Sequence, residues 1–162
     1  MIQPHAKTLV QQVGRLLDHD TTYDNEKIWM IAQSKNDPGL QQAIKGLSTA
    51  DIHVIARITQ SDQVRIKSLP ELTKLSQPTI SRTITKLEQR NLLEKYRTVK
   101  NDKGILVRLT PTGKAIATIH SQLDAEIERQ VAELLAPYPQ EEITDFITLI
   151  GKLAAIDVPY QN

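Results

Sequence analysis

The sequence contains no cysteine, which excludes disulfide bonds, thiol-based redox sensing and thiolate metal sites. It contains one Trp and one Phe, so the core has to be built from Ile, Leu, Val and Ala. No apolar run approaches the ~20 residues that a membrane helix needs, and the N-terminal residues lack the basic-then-apolar order of a signal peptide. With 162 residues, the chain is expected to form one domain or two small lobes in the cytoplasm, with no membrane partner.

Catalytic and metal-binding motifs are also missing. There is no glycine-rich phosphate loop, no Gly-x-Ser-x-Gly motif and no His-Glu-x-x-His motif. No two of the four histidines have the spacing of three or four residues that places two ligands on one helix face. We therefore expect that the protein is not an enzyme and that it carries no metal and no other cofactor.

Charge is distributed unevenly along the chain, although the formal net charge is only +1. Residues 61–108 contain eleven Lys and Arg against five Asp and Glu, a net charge of +6, which leaves −5 for the remainder. A basic block inside an acidic frame favours a partner that is itself negatively charged. The alternative is a solvated surface on which the charges are scattered by chance.

Hydrophobic periodicity predicts a mainly helical chain with one hairpin. Helices are expected over residues 5–19, 24–34, 69–76, 76–90, 112–135 and 141–156. A short piece, residues 40–46, leads into the segment 47–60, where Ser48 or Thr49 can cap a further helix. Residues 61–68 are expected to be a loop with a brief extended run. Residues 93–99 and 105–109 alternate around the polar tip "KNDKG", which predicts a β-hairpin.

The segment "SQPTISRTITKLEQR", residues 76–90, combines an apolar stripe with a polar face. The apolar residues recur at helical spacing and are Ile80, Ile84 and Leu87. Ser76 suits an N-cap and Pro78 suits the first helical turn. The opposite face carries side chains that hydrogen-bond and are unsuited to a core, namely Gln77, Thr79, Ser81, Arg82 and Lys86. A short helix with a polar, cationic outer face is therefore predicted.

This outer face indicates DNA binding. Two short helices joined by a tight turn and followed by a hairpin make a winged helix-turn-helix, whose second helix fits the major groove. Arg suits guanine, Gln suits adenine, and hydroxyl groups suit phosphate oxygens. The residues expected in the major groove are Gln77, Pro78, Thr79, Ser81, Arg82 and Lys86. Those expected on the DNA backbone or in the wing are Ser76, Arg97, Lys100, Asn101 and Lys103. The alternative is an ordinary solvent-exposed helix face.

The segment "LPELTKLSQPTISRTITKLEQRNLLEK", a polar wing and "VRLTPTGKAI" resemble, in this order, the MarR (multiple antibiotic resistance regulator) family. The matching positions are Leu75, Ser76, Pro78, Ser81, Leu87, Glu88, Leu92, Leu109, Thr110 and Gly113. The resemblance implies a homodimer, built by interlacing N- and C-terminal helices, that represses or activates transcription. The wing departs from the family's pattern, because Asn101 and Lys103 stand where the family often carries Asp and a minor-groove Arg.

We therefore expect a mainly α fold with a small β-hairpin wing, classed as α+β. Residues 47–110 are expected to form the winged helix-turn-helix lobe, with residues 1–46 and 111–162 forming a dimerisation lobe. The apolar stripe over 112–135 also predicts a dimer, because it is too long for a lobe this small to cover. The alternative is a stripe that is packed wholly within one chain. A twofold dimer predicts a pseudo-palindromic operator.

The expected function is that of a homodimeric, sequence-specific DNA-binding transcription regulator, a repressor released by a small-molecule effector. Trp29, His53 and His120 are candidates for an effector pocket, and for the two histidines the alternative is a partly buried helix position without a ligand. A rival from another class is a winged-helix module that binds proteins and has lost DNA binding. The basic block argues against this rival, because a protein-binding wing need not be cationic.

Overall fold

The computed structural model describes residues 4–18, 23–59, 64–98 and 101–156, with side chains described at 5–13, 25–59, 64–97 and 104–156. Its helices are α1 (Pro4–Asp18), α2 (Tyr23–Gln33), α3 (Pro38–Lys45), α4 (Thr49–Thr59), α5 (Leu69–Thr73), α6 (Gln77–Gln89), α7 (Pro111–Leu135) and α8 (Gln140–Ala154). Its strands are β1 (Val64–Arg65), β2 (Leu93–Thr98) and β3 (Asn101–Leu109). The predicted fold class, mainly α with a small antiparallel β element, is confirmed.

The sheet differs from the predicted hairpin in two ways. The brief extended run became β1, which pairs antiparallel with β3, so the sheet has three strands in the order β1-β3-β2. Strand β3 begins at Asn101, which pairs with Thr98, so part of the predicted polar tip belongs to the strand. Two residues are too few for β1 to produce a detectable alternation, and for this reason the sequence prediction missed its pairing.

Local capping explains where the central helices begin and end. The Ser48 backbone N–H donates to Asp51 Oδ2 at 2.7 Å, and the Asp51 N–H donates to Ser48 Oγ at 3.3 Å, a reciprocal pair that starts α4. Ser76 Oγ accepts from the Thr79 N–H at 3.3 Å, which confirms Ser76 as the N-cap of α6. Helix α6 ends in a Schellman motif, because Asn91 adopts a left-handed φ of 55° and the Leu92 N–H returns to the Leu87 carbonyl.

The chain forms two compact units, residues 1–123 and 124–162. The first has an aliphatic core, as the composition predicts, and its fully buried side chains include Ile44, Ile55, Leu69, Ile80, Leu87, Leu93, Leu106 and Ile116. The partly buried Trp29 packs against this core. The second unit contains the C-terminal part of α7 and all of α8, and none of the residues of α8 is buried.

The start of α7 approaches the turn after α6 closely. Thr110 Oγ1 donates to the Asn91 carbonyl at 2.8 Å and accepts from the Gly113 N–H at 3.2 Å. A Cβ added at Gly113 would lie 2.0 Å from the Leu92 carbonyl oxygen, so this position has no room for a side chain. Thr110 and Gly113 therefore join the end of the wing to the end of α6.

The described part of the chain offers neither a membrane span nor a metal site. None of the described helices is long and apolar enough to cross a membrane. No group of three or more His, Cys, Asp or Glu in the described part of the chain is placed to hold a metal ion.

Candidate nucleic-acid interface

Helices α5 and α6 form the predicted helix pair and are joined by three residues, Lys74 to Ser76. The tight turn depends on Lys74, which adopts a left-handed φ of 59°. Thr73 Oγ1 supports the turn by donating to the Leu69 carbonyl at 2.7 Å and accepting from the Leu75 N–H at 3.2 Å. This geometry fixes the point at which α6 begins.

Helix α6 has the two faces that its sequence predicts. Its buried residues are Ile80, Thr83, Ile84 and Leu87. Its predicted groove residues Gln77, Pro78, Ser81 and Arg82 are exposed, whereas Thr79 and Lys86 are half-buried. The first two turns therefore offer amide, hydroxyl and guanidinium groups on one uncovered surface.

Some of these polar groups are already held by the helix itself. Thr79 Oγ1 lies 2.8 Å from Ser76 Oγ, within the capping interaction at the start of α6. Arg82 Nε donates to the Pro78 carbonyl at 3.3 Å, which holds the guanidinium beside the first turn. Hydrogen bonds along the helix reduce the number of conformations that Arg82 samples before any contact with DNA.

Lys86 differs from the other five predicted groove residues because it forms an ion pair within the chain. Its Nζ lies 2.5 Å from Asp51 Oδ2, on α4. The Asp51 side chain is 2% exposed, whereas that of Lys86 is 42% exposed. Its expected groove contact stays a prediction, and this ion pair weighs against it.

Arg90 was not among the predicted site residues, although it belongs to the basic block. Its Nη1 donates to the Gly46 carbonyl at 2.5 Å, and its Nη2 donates to the Ala43 carbonyl at 3.4 Å. The signal that could have drawn attention to it is its spacing of four residues from Lys86, which places both cations on one side of a helix.

The basic block is less available to a partner than its net charge indicates. Lys95 pairs with Glu88 at 2.6 Å, and Arg108 pairs with Glu94 at 2.9 Å. The Arg108 guanidinium also lies 5.3 Å from the centre of the Tyr96 ring. In the described part of the basic block, residues 64–97 and 104–108, the exposed cations that form no ion pair are Lys67, Lys74, Arg82 and Arg97.

Of the predicted wing residues, only Arg97 has a described side chain, and it is exposed on β2. Lys100 lies outside the described residues, and only the backbone is described at Asn101 and Lys103, both of them in β3. Their expected contacts with DNA stay predictions.

The structure does not bring the three candidate effector residues together in one described cavity. Trp29 is half-buried on α2, His53 is exposed on α4, and His120 is half-buried on α7. A cavity of about 410 Å³ lies in the second unit instead, and its lining residues are Leu134, Leu135, Tyr138, Glu142, Ile143 and Phe146.

A helix pair with a tight turn, a second helix with an exposed polar face and a hairpin form a winged helix-turn-helix, a fold whose second helix can enter the major groove of DNA. The MarR family model matches residues 47–105, so this part of the chain is similar to that family. The match lies over the winged helix-turn-helix described above.

Individual proteins are also similar to this chain. The chain is 28% identical over 97 residues to the uncharacterised HTH-type transcriptional regulator YhjH of Bacillus subtilis, a match that covers 60% of this chain and 55% of that protein. The fold resembles that of the adhesin competence repressor AdcR of Streptococcus pyogenes, with a TM-score of 0.69 and 16% identity, covering 91% of this chain and 96% of that chain. It also resembles that of Streptococcus pneumoniae FabT, solved in complex with DNA, with a TM-score of 0.63 and 16% identity. This match covers 90% of this chain and 94% of the FabT chain.

Proposed function

We propose that the chain is a homodimeric regulator that recognises a pseudo-palindromic operator in double-stranded DNA and represses transcription until a small-molecule effector releases it. One observation carries the proposal. The first two turns of α6 expose amide, hydroxyl and guanidinium groups, while the opposite face of the helix is buried in the core. Since the ligand is genomic DNA, we place the protein in the cytoplasm.

In this proposal the first turns of α6 read the bases. Gln77, Ser81 and Arg82 are exposed and carry the groups that pair with base edges in the major groove. Ser76 and Thr79 are engaged with each other at the helix start, where backbone N–H groups favour phosphate. Arg97, Lys100, Asn101 and Lys103 contact the DNA backbone or minor groove from the wing. FabT, whose fold is similar, was solved in complex with DNA, and this supports DNA binding by the fold.

The dimer is supported by apolar surface that one chain leaves exposed. On the C-terminal half of α7, Ile127, Val131 and Leu134 are 42%, 46% and 69% exposed, and on α8 Phe146 and Ile147 are 55% and 64% exposed. Each Å² of this surface removed from water is worth about 25 cal/mol. We propose that residues 1–46 and 111–162 supply the dimer contacts and that residues 47–110 bind DNA.

Repression and effector release are supported by one similar protein and by the positions of two side chains. AdcR, whose fold is similar, is named as a repressor. Trp29, His53 and His120 remain our candidates for contact with an effector, and the half-buried positions of Trp29 and His120 are compatible with this role.

A protein-interaction module without specific DNA binding is a second candidate. The observation that favours it is the internal pairing of Lys86, Lys95 and Arg108, which removes three cations of the basic block from contact with phosphate. The two candidates differ in their affinity for DNA and in its dependence on salt.

Fluorescence anisotropy with DNA from upstream of the protein's own gene, compared with shuffled DNA, tests the proposal. We expect tighter binding to the upstream DNA, and an affinity that falls about hundredfold to thousandfold between 50 and 200 mM salt for roughly four to six phosphate contacts per dimer. Equal binding to both DNAs would contradict sequence-specific recognition. Weak, salt-independent binding would favour the protein-interaction module. Light scattering at low micromolar concentration should report twice the chain mass of 18.2 kDa.

A further inference from the structure

Two cations of α6 bind the segment in which α3 ends and α4 begins, residues 43–51, which we call the α3–α4 corner. Lys86 and Arg90 are four residues apart and therefore share one side of α6. Lys86 Nζ contacts Asp51 Oδ2, and the Arg90 guanidinium contacts the carbonyls of Gly46 and Ala43. The C-terminal half of the recognition helix is thus attached to the corner at two points.

The Asp51 carboxylate is held in place from two sides. It is attached to the start of α4 through its hydrogen bond with the Ser48 N–H, and the residue is 1% exposed. A buried carboxylate is costly unless it is hydrogen-bonded and paired with a positive charge. The Lys86 ammonium supplies that charge, so Lys86 would have to leave a buried anion unpaired in order to reach DNA.

The Arg90 guanidinium occupies space that the chain leaves open for it. A Cβ at Gly46 would lie 2.1 Å from Arg90 Nη2, so no larger residue fits there while the guanidinium stays. Gly46 has a φ of −85°, which any residue adopts, and the requirement at this position is therefore room rather than backbone freedom. The guanidinium binds carbonyls at the C-terminal end of α3, where the helix dipole favours a positive charge.

We propose that Lys86 and Arg90 are positioning residues that hold α6 against the α3–α4 corner and that neither of them contacts DNA. The proposal rests on the proposed operator binding. Attachment of the C-terminal half of α6 fixes the angle at which Gln77, Ser81 and Arg82, in the N-terminal half, meet the bases. Base contacts depend on such support because a recognition site tolerates displacements of only about 0.5 Å.

Matched variants can break each attachment from either side. Lys86→Met and Arg90→Met remove the cations. Asp51→Asn keeps an oxygen for the Ser48 N–H but removes the charge that holds Lys86, and Gly46→Ala displaces the guanidinium of Arg90. The last two variants leave the cation present and free to reach DNA, and therefore separate positioning from direct contact.

If the two cations position α6, Lys86→Met and Asp51→Asn lower operator affinity by about the same factor, about tenfold. Arg90→Met and Gly46→Ala likewise lower it by about the same factor. The double variant Asp51→Asn/Lys86→Met is then no weaker than either single variant, and it carries the test if Lys86→Met alone leaves the buried carboxylate too unstable to fold. Lys86→Arg retains most of the affinity. The slope of log affinity against log salt stays at its wild-type value in all variants.

Three results would overturn the proposal. The first is a loss of affinity and of about one phosphate contact per subunit in Lys86→Met or Arg90→Met, while Asp51→Asn and Gly46→Ala bind like the wild type. The second is wild-type operator affinity in all four single variants. The third concerns amide hydrogen exchange across residues 77–90, which we expect to be faster in Asp51→Asn and Gly46→Ala than in an Arg82→Ala control. Exchange at the wild-type rate in both variants would contradict positioning. Because the exchange measurement needs no DNA, it separates a failure of positioning from a failure of the proposed function.

Discussion

The two compact units of the chain differ in what covers their apolar residues. In residues 1–123, Ile116 and Leu123 on the first half of α7 are 0% and 6% exposed and belong to the core. In residues 124–162, Leu134 on the second half of the same helix is 69% exposed, and Ile147 on α8 is 64% exposed. Both halves of α7 carry the same apolar spacing. Periodicity therefore identifies a surface that has to be covered, but it does not identify which chain supplies the cover.

The largest effect is expected from truncating the covered half of α7. Ile116→Ala should cost about 2–5 kcal/mol of unfolding free energy, because the side chain is fully buried and leaves a cavity. Val131→Ala, on the exposed half, should cost less, and by an amount that rises with protein concentration, since a second copy supplies its cover in the proposed dimer. Urea unfolding at several protein concentrations measures both. Equal, concentration-independent costs would mean that one chain covers the whole stripe.

The exposed apolar surface of α8 is best tested by adding a charge. Ile147→Asp should weaken the dimer on the order of a hundredfold, because it places a carboxylate in a contact that excludes water. Thr148→Asp is the matched control on the next residue of α8, where the Thr148 hydroxyl donates to the Thr144 carbonyl. Sedimentation at micromolar concentration should detect monomers of the Ile147 variant, with an unchanged far-UV helix signal. A stable dimer of the Ile147 variant would place the dimer contacts elsewhere.

A substitution on the recognition helix should act on DNA alone and leave both apolar surfaces intact. Arg82→Ala should cost about 1–3 kcal/mol per half-site on the specific operator and little on random DNA, because a guanidinium reads guanine in the major groove. Arg97→Ala, which removes an exposed wing cation, should weaken both DNAs by a smaller and similar amount. Anisotropy titrations against both DNAs measure the ratio of the affinity for the operator to the affinity for random DNA. If Arg82→Ala weakened both equally, its role would be that of a phosphate contact, and Gln77, Thr79 and Ser81 would remain as the reading residues.

Much of the first unit could be predicted from local signals. Ser76 as an N-cap, the stripe of Ile80, Ile84 and Leu87, and the hairpin all depend on residues close together in the chain, and each is confirmed. The contacts of Lys86 with Asp51 and of Arg90 with Gly46 join residues 35 and 44 positions apart. A helical pattern indicates which face of α6 is polar, but it contains no information about which element lies opposite that face.

The smallest effect is expected on the exposed polar side of the second unit. Hydrogen bonds from Arg129, and then from Gln130, lower the pKa of Glu126 to about 2, and the same hydrogen bonding raises the pKa of Arg129. Because the pKa of Glu126 is depressed on folding, its contribution to stability is present above the ordinary carboxyl range and is lost as the pH falls toward 2. Solvent reaches both side chains, which are 33% exposed at Glu126 and 54% exposed at Arg129, so it screens the pair and the gain is small. The pKa of Glu126 followed by carboxyl NMR shifts should therefore be about 2 in the wild type and should rise toward the ordinary glutamate value, about 4.3, in Arg129→Met, where the Gln130 hydrogen bond remains. Titration near 4.3 in both proteins would mean that the ion pair does not persist in water, and the polar side of α7 would then contribute nothing to the stability of this unit.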